Sequence, residues 1–100
     1  MDFTITWSPQ VRDDLHAIAA YIAQDSPRYA GAVINRILAA GRSLDTLPWR
    51  GRIVPELGLD DYREIYVDEY RLIYRIVGRT VEIIAVIHGR RLLTNTRLAD

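Results

Sequence analysis

The short stretch with the most chemical potential in this chain is His88-Gly89-Arg90-Arg91. Histidine changes charge near neutral pH, and arginine carries a planar fork of donors suited to phosphate or carboxylate. Such a group could bind an anion or help move a proton. A plainer reading has His88 hydrogen-bonding a neighbouring strand or loop while Arg90 and Arg91 form a solvated tail. Elsewhere the familiar catalytic signatures are missing: the chain has no Walker loop, no Gly-x-Gly-x-x-Gly, no His-Glu-x-x-His and no Gly-x-Ser-x-Gly. With His16 and His88 its two histidines and no cysteine, it is expected to hold neither a metal nor a disulfide. His16 falls on the polar side of an expected helix and reads as a surface residue.

All 13 basic residues are arginine and none is lysine, balanced by 13 acids. Zero net charge removes the broad field that draws nucleic acid to very basic proteins. Arginine alone suits carboxylates, phosphates and aromatic faces, although a GC-rich genome would produce the same bias. The charge is uneven, since Arg90, Arg91 and Arg97 face only Asp100 beyond His88.

These residues need a scaffold, and 100 residues suffice for one domain, 1–100, but not for two. No apolar run approaches the roughly 20 residues of a membrane span, and Met1-Asp2-Phe3-Thr4 begins no secretory signal. A cytoplasmic protein without a membrane anchor is expected. Phe3, Ile5 and Trp7 alternate with Thr4 and Thr6, the pattern of a strand buried on one face. Ser8-Pro9 and Ser26-Pro27 are helix starts, with serine able to cap free N–H groups and proline tolerated in the first turn. Val11, Leu15, Ile18 and Ile22 stripe the first helix. Ala30, Val33, Ile34, Ile37, Leu38, Gly41 and Leu44 stripe the second, which should end near Leu47-Pro48. So short a link predicts an antiparallel helical hairpin. From Trp49 to Asp61, Gly51, Pro55 and Gly58 predict an irregular loop, with a short extended piece at Arg52 to Val54.

Three strands follow, Tyr62 to Val67, Tyr70 to Val77 and Thr80 to His88, so the fold class is α+β: an N-terminal strand, a two-helix hairpin and a three-strand antiparallel meander. A tight turn at Gly78-Arg79 pairs Val77 with Thr80 and sets Arg75 opposite Glu82, a contact of roughly 0.2–1 kcal/mol. It also predicts Ile73 opposite Ile84 and Arg71 opposite Val86. A link at Asp68-Glu69 would pair Val67 with Tyr70 and Tyr66 with Arg71. Strict alternation then sends Ile65, Val67, Tyr70, Leu72, Tyr74, Ile76, Val81, Ile83, Ala85 and Ile87 toward the helices. The opposite face collects Tyr62, Glu64, Tyr66, Arg71, Ile73, Arg75, Val77, Glu82, Ile84, Val86 and His88. It reads either as a solvated surface with cross-strand ion pairs or as a ligand or partner surface.

The order of these elements, with Gly51-Arg52-Ile53-Val54-Pro55-Glu56-Leu57, Tyr62-Arg63-Glu64, Tyr70-Arg71-Leu72-Ile73-Tyr74-Arg75-Ile76 and Val86-Ile87-His88-Gly89-Arg90-Arg91, resembles the ParE/RelE superfamily of bacterial toxins from about Thr6 to Arg91. The resemblance implies the toxin half of a type II toxin–antitoxin pair of the kind associated with plasmid stabilisation. It further implies a cytoplasmic protein without cofactor, silenced in a hetero-oligomer by a small antitoxin. RelE-like members cut messenger RNA on the ribosome, which needs a base, an acid and cations. For that chemistry Arg71 matches the strand arginine, Glu64 or Glu56 would supply a carboxylate, and His88 would stand in for the terminal histidine and tyrosine. Arg90 and Arg91 occupy the place of those two residues, and arginine cannot act as a base. The chain has no lysine and no tyrosine after Tyr74. Its segments are more similar to the ParE-like branch, which is understood to poison DNA gyrase by binding rather than by catalysis. Tyr66, Arg71, Arg75, His88, Arg90 and Arg91 would then be target-binding residues, with the apolar members of the open sheet face and the helical hairpin receiving the antitoxin. A toxin relic without activity is the remaining reading.

Overall fold

The computed structural model describes residues 2–93. Strand β1 (Thr4–Trp7) leads into helices α1 (Pro9–Ala23) and α2 (Pro27–Arg42), and β2 (Arg52–Ile53), β3 (Tyr62–Val67), β4 (Tyr70–Val77) and β5 (Thr80–His88) complete the chain. The five strands form one sheet in the order β1-β5-β4-β3-β2. β1 runs parallel to β5, while the β2–β3, β3–β4 and β4–β5 pairs are antiparallel. The helical hairpin and the meander stand as the alternation and the two Ser-Pro pairs predict.

The caps differ in detail. Ser26 Oγ accepts the Tyr29 N–H at 3.1 Å, whereas the Ser8 side chain makes no capping bond and its backbone carbonyl takes the Val11 N–H instead. α2 stops at Arg42, and a 3₁₀ turn, Ser43–Asp45, carries the chain on before Leu47 enters the left-handed region at φ 52°. That turn buries Leu44, the last apolar residue of the predicted stripe. The two meander turns also use left-handed backbone, at Gly78 (φ 58°) and at Asp68 (φ 54°). Asp tolerates this conformation better than most residues, which explains a tight turn without glycine.

The main core lies between the helices and the sheet. Val11, Ile18, Val33, Ile37 and Leu44 meet Leu72, Tyr74, Ile76, Val81 and Ile83 there, with Trp7 packed alongside. Gly41 makes that packing possible, because an added Cβ would collide with the Trp7 ring. The predicted register holds from Val77–Thr80 through Arg75–Glu82 to Tyr74–Ile83. Beyond it the predicted pairs are corrected. Ile73 lies opposite Ala85 rather than Ile84, and Arg71 opposite Ile87 rather than Val86. A bulge at Ile84 inserts one extra residue into β5, and one extra residue reverses the facing of all that follow. Val86 therefore joins the helix-side core, while Ala85 and Ile87, expected there, lie on the other face. Asp14 of α1 holds the bulged segment by accepting the Val86 N–H at 2.9 Å.

The second face is correspondingly less open than alternation predicts. Val54 and Leu57 from the loop and Leu93 from beyond β5 cover Ile73, Ala85 and Ile87, forming a second small core.

Candidate target-binding surface

A row of alternating charge crosses the sheet on this second face. Arg52 of β2 is paired across the ladder with Glu64 of β3, and Glu64 reaches Arg71 of β4. Arg71 is 3% exposed, and its partners use its whole guanidinium. Nε donates to Glu64 Oε1 at 2.8 Å, and one terminal nitrogen lies 2.7 Å from that same oxygen. Both terminal nitrogens also donate to Glu56, at 2.7 Å each, and one donates to the Arg91 carbonyl at 2.8 Å. Of the five N–H donors of an arginine, four are hydrogen-bonded here, and all three nitrogens are engaged.

Glu56 then accepts the Leu93 N–H at 2.9 Å. The hydrogen bonds from Arg71 outweigh burial and hold the Glu56 carboxyl well down, at about 2. The same bonds, with those to Glu64, push Arg71 above the usual arginine range, so it stays charged. A buried charge is tolerable only when paired and hydrogen-bonded, and two carboxylates around one guanidinium meet that condition. The group clasps loop 54–57 and the segment after β5 onto the sheet.

Tyr66, His88 and Arg90 border a shallow cleft with Gly89 and Glu69 between them. Gly89 donates to the Glu69 carbonyl at 2.8 Å and lies against Tyr66, where an added Cβ would sit 2.9 Å from Cε2 and 3.2 Å from that carbonyl oxygen. Glycine here lets the strand end lie close against Tyr66 and the β3–β4 turn. His88 Nδ1 accepts the Arg90 N–H at 3.2 Å, and the His88 ring meets Tyr70 edge-on at 5.8 Å. Its Nε2 is 3.7 Å from Glu69 Oε1, too far for a hydrogen bond. The cleft offers exposed cations and aromatic faces rather than an aligned acid–base pair.

The structure thus places the sequence-derived candidates in three environments. Tyr66, His88 and Arg90 share the cleft, with the exposed Arg91 next in the chain. Arg71 and Glu64 lie buried in the clasp. Arg75 is four residues along β4, roughly 13 Å away, stacked on Tyr62 and bonded to Asp61 rather than to Glu82. Arg52, which sequence reasoning passed over, stacks on Tyr66 at 5.7 Å. Its signal was the extended piece at Arg52, which sets its side chain beside Glu64 once β2 pairs with β3. Among the described residues no group of three His, Cys, Asp or Glu side chains could hold a metal ion, and no helix is long and apolar enough to cross a membrane.

Known proteins share this fold. A chain of the chromosomal ParDE toxin–antitoxin system from P. aeruginosa superposes with a TM-score of 0.71 at 18% identity, covering 87% of this chain and 96% of that one. The RelBE2 toxin–antitoxin complex from Mycobacterium tuberculosis gives 0.56 at 26% identity over 88% and 99% of the two chains. YoeB from Staphylococcus aureus gives 0.58 at 20% over 88% and 98%. No curated protein is similar in sequence at a significant level. The family model described as the ParE toxin of the parDE type II toxin–antitoxin system matches residues 5–93, running from β1 through the clasp to Leu93, and the chain therefore belongs to the ParE toxin family.

Proposed function

We propose that this toxin acts by binding DNA gyrase and stalling it on cleaved DNA, and that a cognate antitoxin silences it in a cytoplasmic hetero-oligomer. The observation that carries this reading is the state of Arg71. Ribonuclease chemistry needs a cation free to meet developing charge on phosphate, and both carboxylates and a backbone carbonyl already engage this one. What remains exposed, Arg52, Tyr66, His88, Arg90 and Arg91, suits recognition of an anionic or aromatic surface. The ParDE, RelBE2 and YoeB-YefM assemblies of similar fold support an antitoxin partner.

The second reading, a ribosome-dependent endoribonuclease using Arg71, His88 and Glu64, draws on the RelBE2 and YoeB likeness. The two separate in one experiment. Purified toxin is added to gyrase with relaxed plasmid, and in parallel to a translating extract with a labelled message. Loss of supercoiling with linear, gyrase-linked DNA and an intact message is expected. Message cut at codons with gyrase unaffected overturns the gyrase reading, and inactivity in both assays identifies a relic.

A further inference from the structure

The turn that ends β5 is held by hydrogen bonds at successive backbone positions. Gly89 N–H donates to the Glu69 carbonyl at 2.8 Å, Arg90 N–H to His88 Nδ1 at 3.2 Å, and Arg91 N–H to the His88 carbonyl at 2.9 Å. The Arg91 carbonyl then accepts from the buried Arg71 at 2.8 Å, and Leu93 N–H donates to Glu56 at 2.9 Å. The backbone is thus fixed at both ends of the turn. The two side chains that it presents are not. Arg90 and Arg91 are exposed, and neither guanidinium has an ion-pair or hydrogen-bond partner among the described residues.

His88 contributes to this turn through its ring. Asn and Asp side chains build turns by accepting the N–H two residues further on, and here Nδ1 fills that place. In a neutral imidazole one nitrogen accepts while the other carries the proton, so Nδ1 engaged as acceptor puts the proton on Nε2. That leaves Nε2 3.7 Å from Glu69 Oε1, and the ring is held edge-on to Tyr70 at 5.8 Å. The lone pair that a general base needs is taken by the protein's own backbone. We propose that His88 is a positioning residue for target binding: by accepting the Arg90 N–H it orders the turn that presents Arg90 and Arg91, and it takes no proton from the target. What those arginines contact rests on the gyrase reading, whereas the ordering of the turn does not.

The test compares replacements of His88 in the full chain. Asparagine places a carbonyl oxygen where Nδ1 stands, glutamine places its amide near Nε2, and alanine does neither. His88→Ala and His88→Gln should each weaken inhibition of gyrase supercoiling about five- to tenfold, the effect of freeing a turn that was ordered before binding. His88→Asn should recover most of that loss. Amide exchange measured by NMR gives a second readout that needs no gyrase. The Arg90 N–H should exchange faster in the alanine and glutamine variants and close to the parent rate in the asparagine one, and the ring ¹⁵N shifts of the parent should place the proton on Nε2 under mildly alkaline conditions. If the parent toxin leaves gyrase untouched, the target reading fails, and exchange at Arg90 alone then decides whether His88 orders the turn. Rescue by glutamine and not by asparagine, a proton on Nδ1, or Arg90 exchange indifferent to every replacement overturns the positioning role.

Discussion

Glu56 and Arg71 meet end-on, each carboxylate oxygen accepting from a different terminal nitrogen at 2.7 Å. With Glu64 on the Nε side, the pair ties a loop, two strands and the segment after β5 together. Arg71→Ala leaves the buried Glu64 with only the exposed Arg52 as a cation and removes the clasp's hydrogen bonds to Glu56, and is expected to cost about 3–5 kcal/mol, a large share of the roughly 5–15 kcal/mol of a domain this size. Urea unfolding measures it directly. A loss below 1 kcal/mol would mean the clasp is ornamental.

The depressed Glu56 pKa makes the clasp sensitive to acid. A carboxyl at about 2 when folded, against an ordinary 4.5, contributes stability that is fully present above about pH 4.5 and is lost as pH falls toward 2. The contribution is at most about 3 kcal/mol. Glu56→Gln should therefore be markedly less stable than the parent at pH 7, with the two unfolding midpoints converging near pH 2. Parallel curves across that window would contradict the assignment.

Two glycines of α2 should respond oppositely to alanine. At Gly41 the new methyl meets the Trp7 ring, so Gly41→Ala should destabilise by about 1–3 kcal/mol. Gly31 has open space around its missing Cβ, and Gly31→Ala should stabilise by about 0.5–1 kcal/mol through helix propensity. Paired thermal melts decide both.

Asp14 secures the bulge through the Val86 N–H. Asp14→Ala should cost about 1–3 kcal/mol by orphaning that donor. Faster hydrogen exchange should follow at Val86 and Ile87, and unaltered protection there would show that the bulge stands without it.

Arg90 and Arg91 present exposed side chains, so the double variant Arg90→Ala/Arg91→Ala should keep stability within about 0.5 kcal/mol. On the gyrase reading it should lose about tenfold or more in supercoiling inhibition, the effect of removing one good charged contact. Full inhibition by this folded variant would place the contact elsewhere.

The element order was legible because it depends on local chemistry. Ser26-Pro27 starts a helix in any context, Val33 and Ile37 fall on one helical face, and Gly78 accepts φ 58° without strain. Tyr66, His88 and Arg90 meet at one end of the sheet, where β3 and β5 flank β4, although the bulge pairs His88 with Tyr70 on the helix side rather than on the face of Tyr66 that strict alternation predicts. Arg71 was legible as a candidate but not in its environment. The residues that enclose it, Glu56 and Leu93, come from segments without periodicity, so no pattern predicts where they fold back.

By itself, then, the sequence determined the class of the fold, the helix stripes and the hairpin register as far as Tyr74 and Ile83. Those follow from side-chain periods and turn conformations that act over a few residues. Tertiary structure decided the parallel docking of β1 on β5, the bulge at Ile84 that exchanges Ala85 and Ile87 for Val86, and the burial of Arg71. Each of these depends on partners distant in the chain, such as Asp14 for the Val86 N–H at 2.9 Å, and a contact made only after the chain has closed leaves no periodic mark on the residues that make it.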